Sequence, residues 1–430
     1  MYQTITVSLS NLLLSLSDAL DLASPVLAQH QMRTAFISWE IAKAAGLPRD
    51  QTESLYMAAL LHDVGALSAE EKIAIHQQEV QNPEKHCILG EKLLRTASIF
   101  EYPSRIVRFH HTPWKDWRQP IEEPLVQQAQ ILKLADTLER GIDRESYILH
   151  QQDRLIERVK AAAGDSIHPD VVQWLVRAGV REEFWLDLVS PRLYSLLLHN
   201  GPCRGVEIGL SRLSEISELF RNMIDFRSRF TSTHSSGVAA SATILAKLSG
   251  LTEMEIGLME IAGNLHDLGK MAIPNQILEK PGKLTREEFA VIRQHTYLTY
   301  TILNSIGGIQ QIVEWAAFHH EKLDGSGYPF HVDAQKIGIG SRIMAVADIF
   351  TALAENRPYR EAMEKDGVMG IINQLSEKRQ LEPRVVDVLA DNYEKIRSEM
   401  RELQQAARDF FEREFYYPDP LAPSTSPDAG

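Results

Sequence analysis

Asn264-Leu-His-Asp-Leu-Gly-Lys270 is the stretch around which the rest of the chain is organised. His266 and Asp267 stand side by side at the end of an apolar run, Ile256 to Leu265, whose pattern predicts a helix. An adjacent imidazole and carboxylate can both face one metal ion, and the carboxylate can also bridge to a second ion. The pair alone is common in proteins and carries little weight. Other metal-binding residue types along the same half of the chain strengthen it, namely His234, His295, His319, His320 and Asp348.

These residues resemble the ligands of the HD superfamily of metal-dependent phosphohydrolases. The segment from His319 to Pro329, HHEKLDGSGYP, is similar to the signature of the HD-GYP branch of that superfamily. The similarity extends from about Arg212 to Tyr393. It implies an all-helical fold and hydrolysis of a cyclic dinucleotide, typically cyclic di-GMP.

The resemblance also implies how two divalent ions would be held. One ion would be bound by His234, His266, Asp267 and Asp348. Asp267 would bridge to a second ion, which His295, His319 and His320 would complete. Some family members carry a Glu four residues before the first histidine that recruits a third ion, but Phe230 stands there in this chain. Mixed imidazole and carboxylate ligands suit Fe, Mn or similar ions, and the sequence does not choose among them.

Substrate contacts are expected on three segments. Lys270 follows His266 by four residues, which places it on the same side if the helix continues, and it can bind a phosphate or help the leaving group; the alternative is a solvated surface lysine. Gly327 and Tyr328 belong to the Gly-Tyr-Pro loop, and Glu321 and Asp324 are expected to brace this loop and orient histidines. The family's phosphate-binding basic residues are matched by Arg357 and Arg360. The catalytic residues would be Asp267 and Lys270.

The first half of the chain repeats the pattern of histidines and aspartates. Its members are His30, His62, Asp63, His86, His110, His111 and Asp136. The first and second histidines are 32 residues apart in both halves, and the third and fourth are 24 residues apart in both, whereas the second and third are 24 residues apart in the first half and 29 in the second. An internal duplication of whole domains is the simplest explanation.

The first copy lacks the features expected to contact substrate. Thr112-Pro-Trp-Lys-Asp-Trp117 follows its histidine pair in place of a Gly-Tyr-Pro loop, and Ala66 stands where Lys270 stands. Three interpretations remain open: a degenerate structural or regulatory domain with a vestigial metal site, a metal-loaded but inactive domain, or a second hydrolase with another substrate.

The predicted fold class is therefore all-α, with two tandem helical HD-type domains joined by a helical connector, Glu207 to Arg229. The expected divisions are 1–203 for the degenerate domain, 204–400 for the catalytic domain, and 401–430 for a helix end and a disordered tail. A stripe of apolar residues in the C-terminal helix indicates docking against its own domain or, alternatively, a dimer seam: Tyr393, Ile396, Met400, Leu403, Ala407 and Phe410.

Bulk composition excludes several classes of protein. With 44% hydrophobic and 24% charged residues the chain has the composition of an ordinary globular protein, and its formal charge of -13 argues against binding to a DNA or RNA polymer. No run of 18 apolar residues predicts membrane insertion, and Met1 to Leu22 lacks the basic start of a signal peptide. Two cysteines provide no disulfide framework. A cytoplasmic location is expected, with a homodimer or a signalling protein as further partners.

The leading hypothesis is a phosphodiesterase that opens cyclic di-GMP or 3'3'-cyclic GMP-AMP to the linear dinucleotide with hydroxide activated by two metals. Two alternatives from other classes stay in view. One is a catalytically weak module that senses a nucleotide or binds a partner, and the other is a general HD nucleotidase acting on mononucleotides. The complete ligand set argues against the first, and the intact Gly-Tyr-Pro loop against the second.

Overall fold

The computed structural model describes residues 5–22, 24–77, 84–227, 233–356 and 361–415. Helices dominate this part of the chain, which confirms the predicted all-α class. Within it, the first half (residues 1–203) contains eleven α-helices: α1 Leu9–Asp21, α2 His30–Ala45, α3 Arg49–Leu60, α4 Ala69–His76, α5 Glu84–Leu94, α6 Glu101–Phe109, α7 Pro124–Glu139, α8 Gln152–Ala161, α9 Pro169–Ala178, α10 Glu182–Leu188 and α11 Leu193–Asn200.

The second half (residues 204–430) continues the helical architecture. Its described α-helices are α12 Leu210–Phe226, α13 His234–Leu248, α14 Glu253–Leu265, α15 Asn275–Leu278, α16 Arg286–Ile306, α17 Gln310–Ala317, α18 Ile339–Ala354, α19 Lys365–Glu377, α20 Pro383–Asp391 and α21 Tyr393–Phe415. A 3-10 helix, Leu268–Ala272, follows the His266-Asp267 pair. In the described residues, no helix combines the length and the apolar character needed to cross a membrane.

Local sequence signals explain where the metal-site helices begin. Thr285 precedes α16 and accepts a hydrogen bond from the backbone N–H of Glu288, whose side chain accepts one from the backbone N–H of Thr285, and the two residues thus form a capping box. Thr252 and Glu255 form the same arrangement at the start of α14. These caps fix the first turns of the two helices that lead to His266 and His295.

The two halves are tied together by a short antiparallel sheet. Strand β1, Thr6–Ser8, pairs with strand β2, Glu207–Gly209, with Val7 opposite Ile208. The predicted connecting helix therefore begins later than expected, because the first three residues of the segment are a strand that pairs with the start of the chain. Each strand leads directly into a helix, α1 or α12.

Each of these two helices contacts the opposite half. The Ser15 hydroxyl on α1 lies 2.7 Å from the Ser305 hydroxyl on α16, the helix that carries His295. In the other direction, Glu215 on α12 accepts hydrogen bonds from the backbone and hydroxyl of Ser98, and Arg212 donates to the same hydroxyl. The halves therefore contact each other through the corresponding helices α1 and α12, and they share one continuous hydrophobic core.

The C-terminal helix α21 packs on its own half of the chain. Tyr393, Ile396 and Met400 from the predicted stripe are buried, whereas Leu403 is 52% exposed and Gln404 is buried in its place. The division expected at residue 400 falls inside α21, which continues to Phe415. The tail from Pro418 to Gly430 lies outside the described residues.

Candidate metal centre

Five helices and their ends bring the seven predicted ligands of the second half together. His234 is the first residue of α13, His266 and Asp267 follow α14 directly, and His295 lies in the middle of α16. The pair His319-His320 follows α17, and Asp348 lies in α18. Most of these side chains are buried, while His320 keeps 30% of its side chain exposed and so marks the open side of the cluster.

Asp267 lies between two groups of histidines. Its Oδ2 atom is 3.2 Å from His266 Nε2, and its Oδ1 atom is 3.4 Å from His295 Nε2. Since each carboxylate oxygen faces a different imidazole, the side chain has the orientation that a bridging ligand needs. Asp267 Oδ1 and His266 Nε2 are buried and have no hydrogen-bond partner among the described residues, which leaves both atoms for a cation.

Asp348 occupies a similar position on the other side of the cluster. Its Oδ1 atom is 3.3 Å from His234 Nε2, and its Oδ2 atom is 3.8 Å from His320 Nδ1. The donor atoms of His234, His266 and Asp348 lie within 4.8 Å of one another, and so do those of His295, His319 and His320. The cluster thus offers two neighbouring sets of three donors, with Asp267 between them.

The tautomers of the histidines show that the cluster fits cations. The Nδ1 atoms of His266, His295 and His319 lie 2.7 Å from the backbone oxygens of Gly263, Ile292 and Ala316, respectively. Each Nδ1 therefore carries the proton and donates it to a carbonyl, and each Nε2 carries a lone pair. The Nε2 atoms of His295 and His319 face each other at 3.2 Å. Two lone pairs at that distance repel, and a divalent ion beside both nitrogens would remove the repulsion.

The protonation equilibria of the cluster suit metal ligands as well. Burial lowers the pKa of His295 to about 3 and the pKa of His319 well below its usual range, so both imidazoles are neutral. Burial alone would raise the pKa of Asp267, but nearby charges, among them the ammonium of Lys270, lower it further than burial raises it, and the carboxyl stays ionised. For His234, burial is outweighed by the carboxylates of Glu355 and Asp348, which raise its pKa to about 10. A cation bound at Nε2 would take the place of that proton.

Lys270 reaches the cluster although the helix does not continue as an α-helix. Helix α14 ends at Leu265, and Lys270 lies in the 3-10 helix Leu268–Ala272. Its Nζ atom donates to Asp267 Oδ2 at 2.5 Å, and 23% of its side chain is exposed. The cationic group therefore lies at the mouth of the cluster. Arg227 fixes this segment by donating to the backbone oxygens of Lys270 and Ile273 at 2.5 and 2.6 Å.

The Gly-Tyr-Pro loop folds back over the histidine pair. The Tyr328 ring lies 4.9 Å from the His320 ring, and its backbone N–H donates to the His320 carbonyl at 3.2 Å. A side chain at Gly327 would place its Cβ 2.5 Å from the Lys322 nitrogen, so this close approach requires glycine. The loop thus places one face of an aromatic ring beside the open side of the cluster.

Glu321 and Asp324 bond to the loop itself. Glu321 Oε1 accepts a hydrogen bond from the Phe330 backbone N–H at 2.7 Å, and Asp324 Oδ1 accepts from the Ser326 backbone N–H at 2.9 Å. Three residues of the sequence predictions lie outside the described residues. These are Arg357 and Arg360, which were predicted to bind phosphate, and Phe230, which stands where some family members carry the glutamate that recruits a third ion.

The rim of the cluster includes two residues that sequence analysis did not single out. Arg293 lies with its guanidinium 5.4 Å from the centre of the Tyr328 ring, and Phe289 meets that ring edge-on at 6.2 Å. Both project from α16, four residues apart, and Phe289 is 44% exposed. Their mutual spacing of four residues, which puts both side chains on one face of α16, was the available signal.

The seven predicted residues of the first half also come together. His62 and His110 each have Nδ1 beside a backbone oxygen, at 2.9 and 2.6 Å. The Nε2 atoms of His86 and His110 are 3.4 Å apart, and those of His30 and His62 are 3.3 Å apart. The same convergence of imidazole nitrogens therefore occurs twice in the chain. Asp63 extends its two oxygens toward both groups, at 3.5 Å from His62 and 3.6 Å from His86.

An aspartate and a glycine recur at corresponding positions in the two halves, and the sequence alone suggested a role for neither. Asp21 and Asp225 each stand nine residues before the first histidine and accept backbone N–H bonds at the start of that histidine's helix, from Gln31 at 3.1 Å and from Ser235 at 3.0 Å. Gly65 and Gly269 each lie against the helix that carries the third histidine. Aligning the two halves by their first histidines would have revealed the aspartates.

The first-half cluster differs from the second in its nearest cation. Arg140 donates to Asp136 Oδ2 at 2.6 Å, and its side chain is only 10% exposed. His30, His62, His86 and His110 are at most 1% exposed, and their counterparts His234, His266, His295 and His319 are also buried. The clusters therefore differ in the aspartate that the nearest cation pairs with, which is Asp136 in the first half and Asp267 in the second.

The fold and the two clusters define a helical protein in which each half groups histidines and aspartates that could hold a metal ion. The HD domain family matches the chain at residues 27–141 and again at residues 218–385. The chain belongs to the HD family and carries one HD domain in each half.

Curated relatives are phosphodiesterases of cyclic dinucleotides. The chain is 28% identical to 3'3'-cGAMP-specific phosphodiesterase 1 of Vibrio cholerae, over 90% of this chain and 92% of that protein. A cyclic di-GMP phosphodiesterase of Thermotoga maritima is 34% identical over 46% of this chain and 53% of its own length. A crystal structure of a cyclic GMP-AMP specific phosphodiesterase of V. cholerae superposes with a TM-score of 0.63 at 22% identity, covering 90% of this chain and 98% of that one, and so shares the fold.

Proposed function

We propose that the second half is a two-metal phosphodiesterase that opens a cyclic dinucleotide to its linear form. The observation that carries this proposal is the pairing of imidazole nitrogens at 3.2 Å beside an aspartate whose two oxygens face different histidines. Lys270 and the Gly-Tyr-Pro loop lie on the open side of the same cluster. The names of the relatives supply the substrate class.

The ligand residues divide the work between them. His266, His295 and His319 are held by backbone carbonyls with Nε2 facing the cluster, and Asp267 is oriented to join the two sets of donors. Two divalent ions of the Fe or Mn type held there would polarise the phosphodiester and lower the pKa of a water molecule. Lys270 would balance the charge of the phosphate at the mouth of the cluster, and its ammonium would lie near the leaving oxygen.

The substrate proposed first is 3'3'-cyclic GMP-AMP. The relative that matches over 90% of this chain, across both HD domains, is named as specific for that molecule. The Thermotoga cyclic di-GMP phosphodiesterase matches over less than half of the chain. Cyclic di-GMP is therefore the second substrate to test. Tyr328, Arg293 and Phe289 supply aromatic and cationic surface for a base next to the cluster.

The first half is proposed to bind metal without hydrolysing a dinucleotide. Its donors converge as in the second half, but Arg140 pairs with Asp136, and this half has neither a Gly-Tyr-Pro loop nor a counterpart of Lys270 to contact a substrate. The divisions proposed for the domains are 1–203 and 204–400, with α21 extending the second domain to Phe415. The cytoplasmic location remains a prediction.

Paired substitutions in the two halves test the proposal. Asp267→Asn and Asp63→Asn remove the equivalent carboxylate charge from each cluster while keeping the side-chain shape. Turnover of 3'3'-cyclic GMP-AMP, cyclic di-GMP and mononucleotides would be measured with Mn²⁺ for both variants and for the unmodified protein. We expect Asp267→Asn to lose turnover by a factor of at least about 10³, because a bridging ligand is removed, and Asp63→Asn to keep most of it.

Three other outcomes would revise the proposal. Equal loss in both variants would make the two clusters a coupled unit. Turnover of mononucleotides alone would indicate a general nucleotidase. Tight binding of Mn²⁺ by the unmodified protein without turnover of any nucleotide would leave a sensing module.

A further inference from the structure

Gln404 is a buried polar residue on an otherwise exposed stretch of the C-terminal helix α21. It is 7% exposed, while Leu403 before it is 52% exposed and Gln405 after it is also exposed. A glutamine amide buried away from water is costly unless its polar atoms are bonded. The position of Gln404 therefore calls for partners inside the domain.

These partners lie beside the metal cluster. Gln404 Nε2 donates to Glu355 Oε2 at 3.2 Å and is 3.3 Å from the Thr233 backbone oxygen. Room for the amide exists only because residue 237 is glycine: a Cβ there would lie 2.6 Å from Gln404 Nε2. The amide is thus seated in a notch at the first turn of α13, the helix that begins with His234.

Glu355 connects this amide to a predicted ligand. Its Oε1 atom accepts a hydrogen bond from His234 Nδ1 at 3.0 Å, and Glu355 is 8% exposed. With one proton held on Nδ1, His234 turns Nε2 toward the cluster, where Asp348 Oδ1 lies 3.3 Å away and where a cation could take the place of the second proton. A carboxylate on the far nitrogen of a metal-binding histidine fixes the ring and increases its basicity.

We infer that the C-terminal helix completes the metal centre, with Gln404 as a positioning residue that holds Glu355 against His234. The inference rests on the proposed function, since it assigns the purpose of the network to an ion at His234. It also extends the functional unit beyond residue 400, into a helix segment whose sequence resembles a solvent-exposed surface.

The first half reaches the same geometry with different residues. Glu139 Oε2 lies 2.5 Å from His30 Nδ1, and Glu139 Oε1 is held by Arg144 at 3.1 Å and by Arg33 at 3.5 Å. Both clusters therefore place a buried carboxylate behind the first histidine and hold its second oxygen. Because one half uses two arginines and the other uses a neutral amide, the shared feature is the position of the carboxylate.

The experiment compares two neighbouring glutamines. Gln404→Met keeps the volume that fills the notch at Gly237 and removes the donor, and Gln405→Met makes the same change on the exposed face. Mn²⁺ dissociation constants for each bound equivalent would be measured by titration calorimetry, together with thermal unfolding in the presence of a chelator. Glu355→Gln, which keeps a carbonyl oxygen for His234, and Glu355→Ala complete the series.

We expect Gln404→Met to raise the dissociation constant of one bound Mn²⁺ by about tenfold and Glu355→Ala to raise it by about 10- to 100-fold. The dissociation constant for Glu355→Gln should lie between those of the unmodified protein and Glu355→Ala. Gln405→Met should bind as the unmodified protein does, and excess Mn²⁺ should restore the turnover of Gln404→Met. That rescue would not follow from general damage to the fold. Equal Mn²⁺ affinities in Gln404→Met and Gln405→Met would overturn the inference while leaving the proposed function intact. Weaker Mn²⁺ binding by Gln404→Met, together with no hydrolysis of a cyclic dinucleotide by the unmodified protein, would support the inference and contradict the proposed function.

Discussion

Gly269 allows the 3-10 helix after Asp267 to approach α16, and this contact sets the position of His295. A Cβ built at Gly269 would lie 2.0 Å from the His295 backbone oxygen, and real Cβ contacts essentially never fall below 3.0 Å. Gly269→Ala must therefore move the two segments apart by about 1 Å or more. Since His295 faces Asp267 at 3.4 Å, the displacement acts directly on the predicted ligands.

The size of the effect follows from this displacement. A misplacement of roughly 1 Å in a catalytic arrangement costs about 10²-fold in rate, and overpacking a buried contact costs about 1–3 kcal/mol of unfolding free energy. We expect Gly269→Ala to lower kcat for the cyclic dinucleotide by about two orders of magnitude and to lower Tm by several degrees. The assays are steady-state turnover with saturating Mn²⁺ and thermal unfolding monitored by circular dichroism.

Two glycines provide controls for this prediction. Gly257 lies in α14, and a Cβ added there would meet no atom within 4 Å, so Gly257→Ala should be neutral or slightly stabilising. Gly65 has the equivalent contact in the first half, 2.0 Å from the His86 backbone oxygen, and Gly65→Ala should destabilise the protein while costing less turnover than Gly269→Ala. Full activity in Gly269→Ala would refute the reasoning, because it would show that the position of His295 does not control the reaction.

Three further predictions concern the rim, the thiols and a helix cap. Phe289→Ala and Arg293→Ala should each raise KM for the dinucleotide by about tenfold with little change in kcat. Tyr297→Ala on the same helix is the control and should change neither constant. A loss confined to kcat in the first two variants would show that Phe289 and Arg293 act in the chemical step and not in substrate binding. Burial raises the pKa of Cys203 to about 12 and raises that of Cys87 still further above its usual range. Neither thiol should therefore react with Ellman's reagent at pH 8 until the protein is unfolded. Rapid labelling of the native protein would contradict this burial. Thr285→Ala should lower the unfolding free energy by about 1 kcal/mol through loss of the capping box, as measured by urea denaturation, and an unchanged midpoint would show that the cap contributes nothing.

Much of the fold was predictable because its signals are local or repeated. The resemblance of the histidine and aspartate pattern to the HD superfamily implied the all-α class, and the spacing of 32 and 24 residues between histidines indicated the duplication. The ligand types stand out in a sequence because histidine pairs and a His-Asp pair seldom recur in the same order by chance. The structure brings all seven residues of each set together.

Other features depend on contacts between distant residues and left no local signal. Val7 pairs with Ile208 in strands of three residues each, which are too short for an alternating pattern to be recognised. Gln404 lies in a polar segment of helix, where its sequence neighbours are exposed, so periodicity assigned the buried position to Leu403 instead. Arg140 follows Asp136 by one helical turn, but only the structure shows that its charge is directed at the carboxylate of the cluster.

The central claim is that Asp267 joins two ions in the second half, and electron paramagnetic resonance of the Mn²⁺-loaded protein tests it most directly. The measurement is best made on Asp63→Asn, which removes the corresponding carboxylate from the first-half cluster. Two Mn²⁺ ions about 4 Å apart, as in two-metal hydrolases, would be magnetically coupled through the bridging carboxylate. We predict a coupled spectrum that is lost in the double variant Asp63→Asn/Asp267→Asn. Only the six-line signal of isolated Mn²⁺ in Asp63→Asn, at full loading, would contradict the two-metal account.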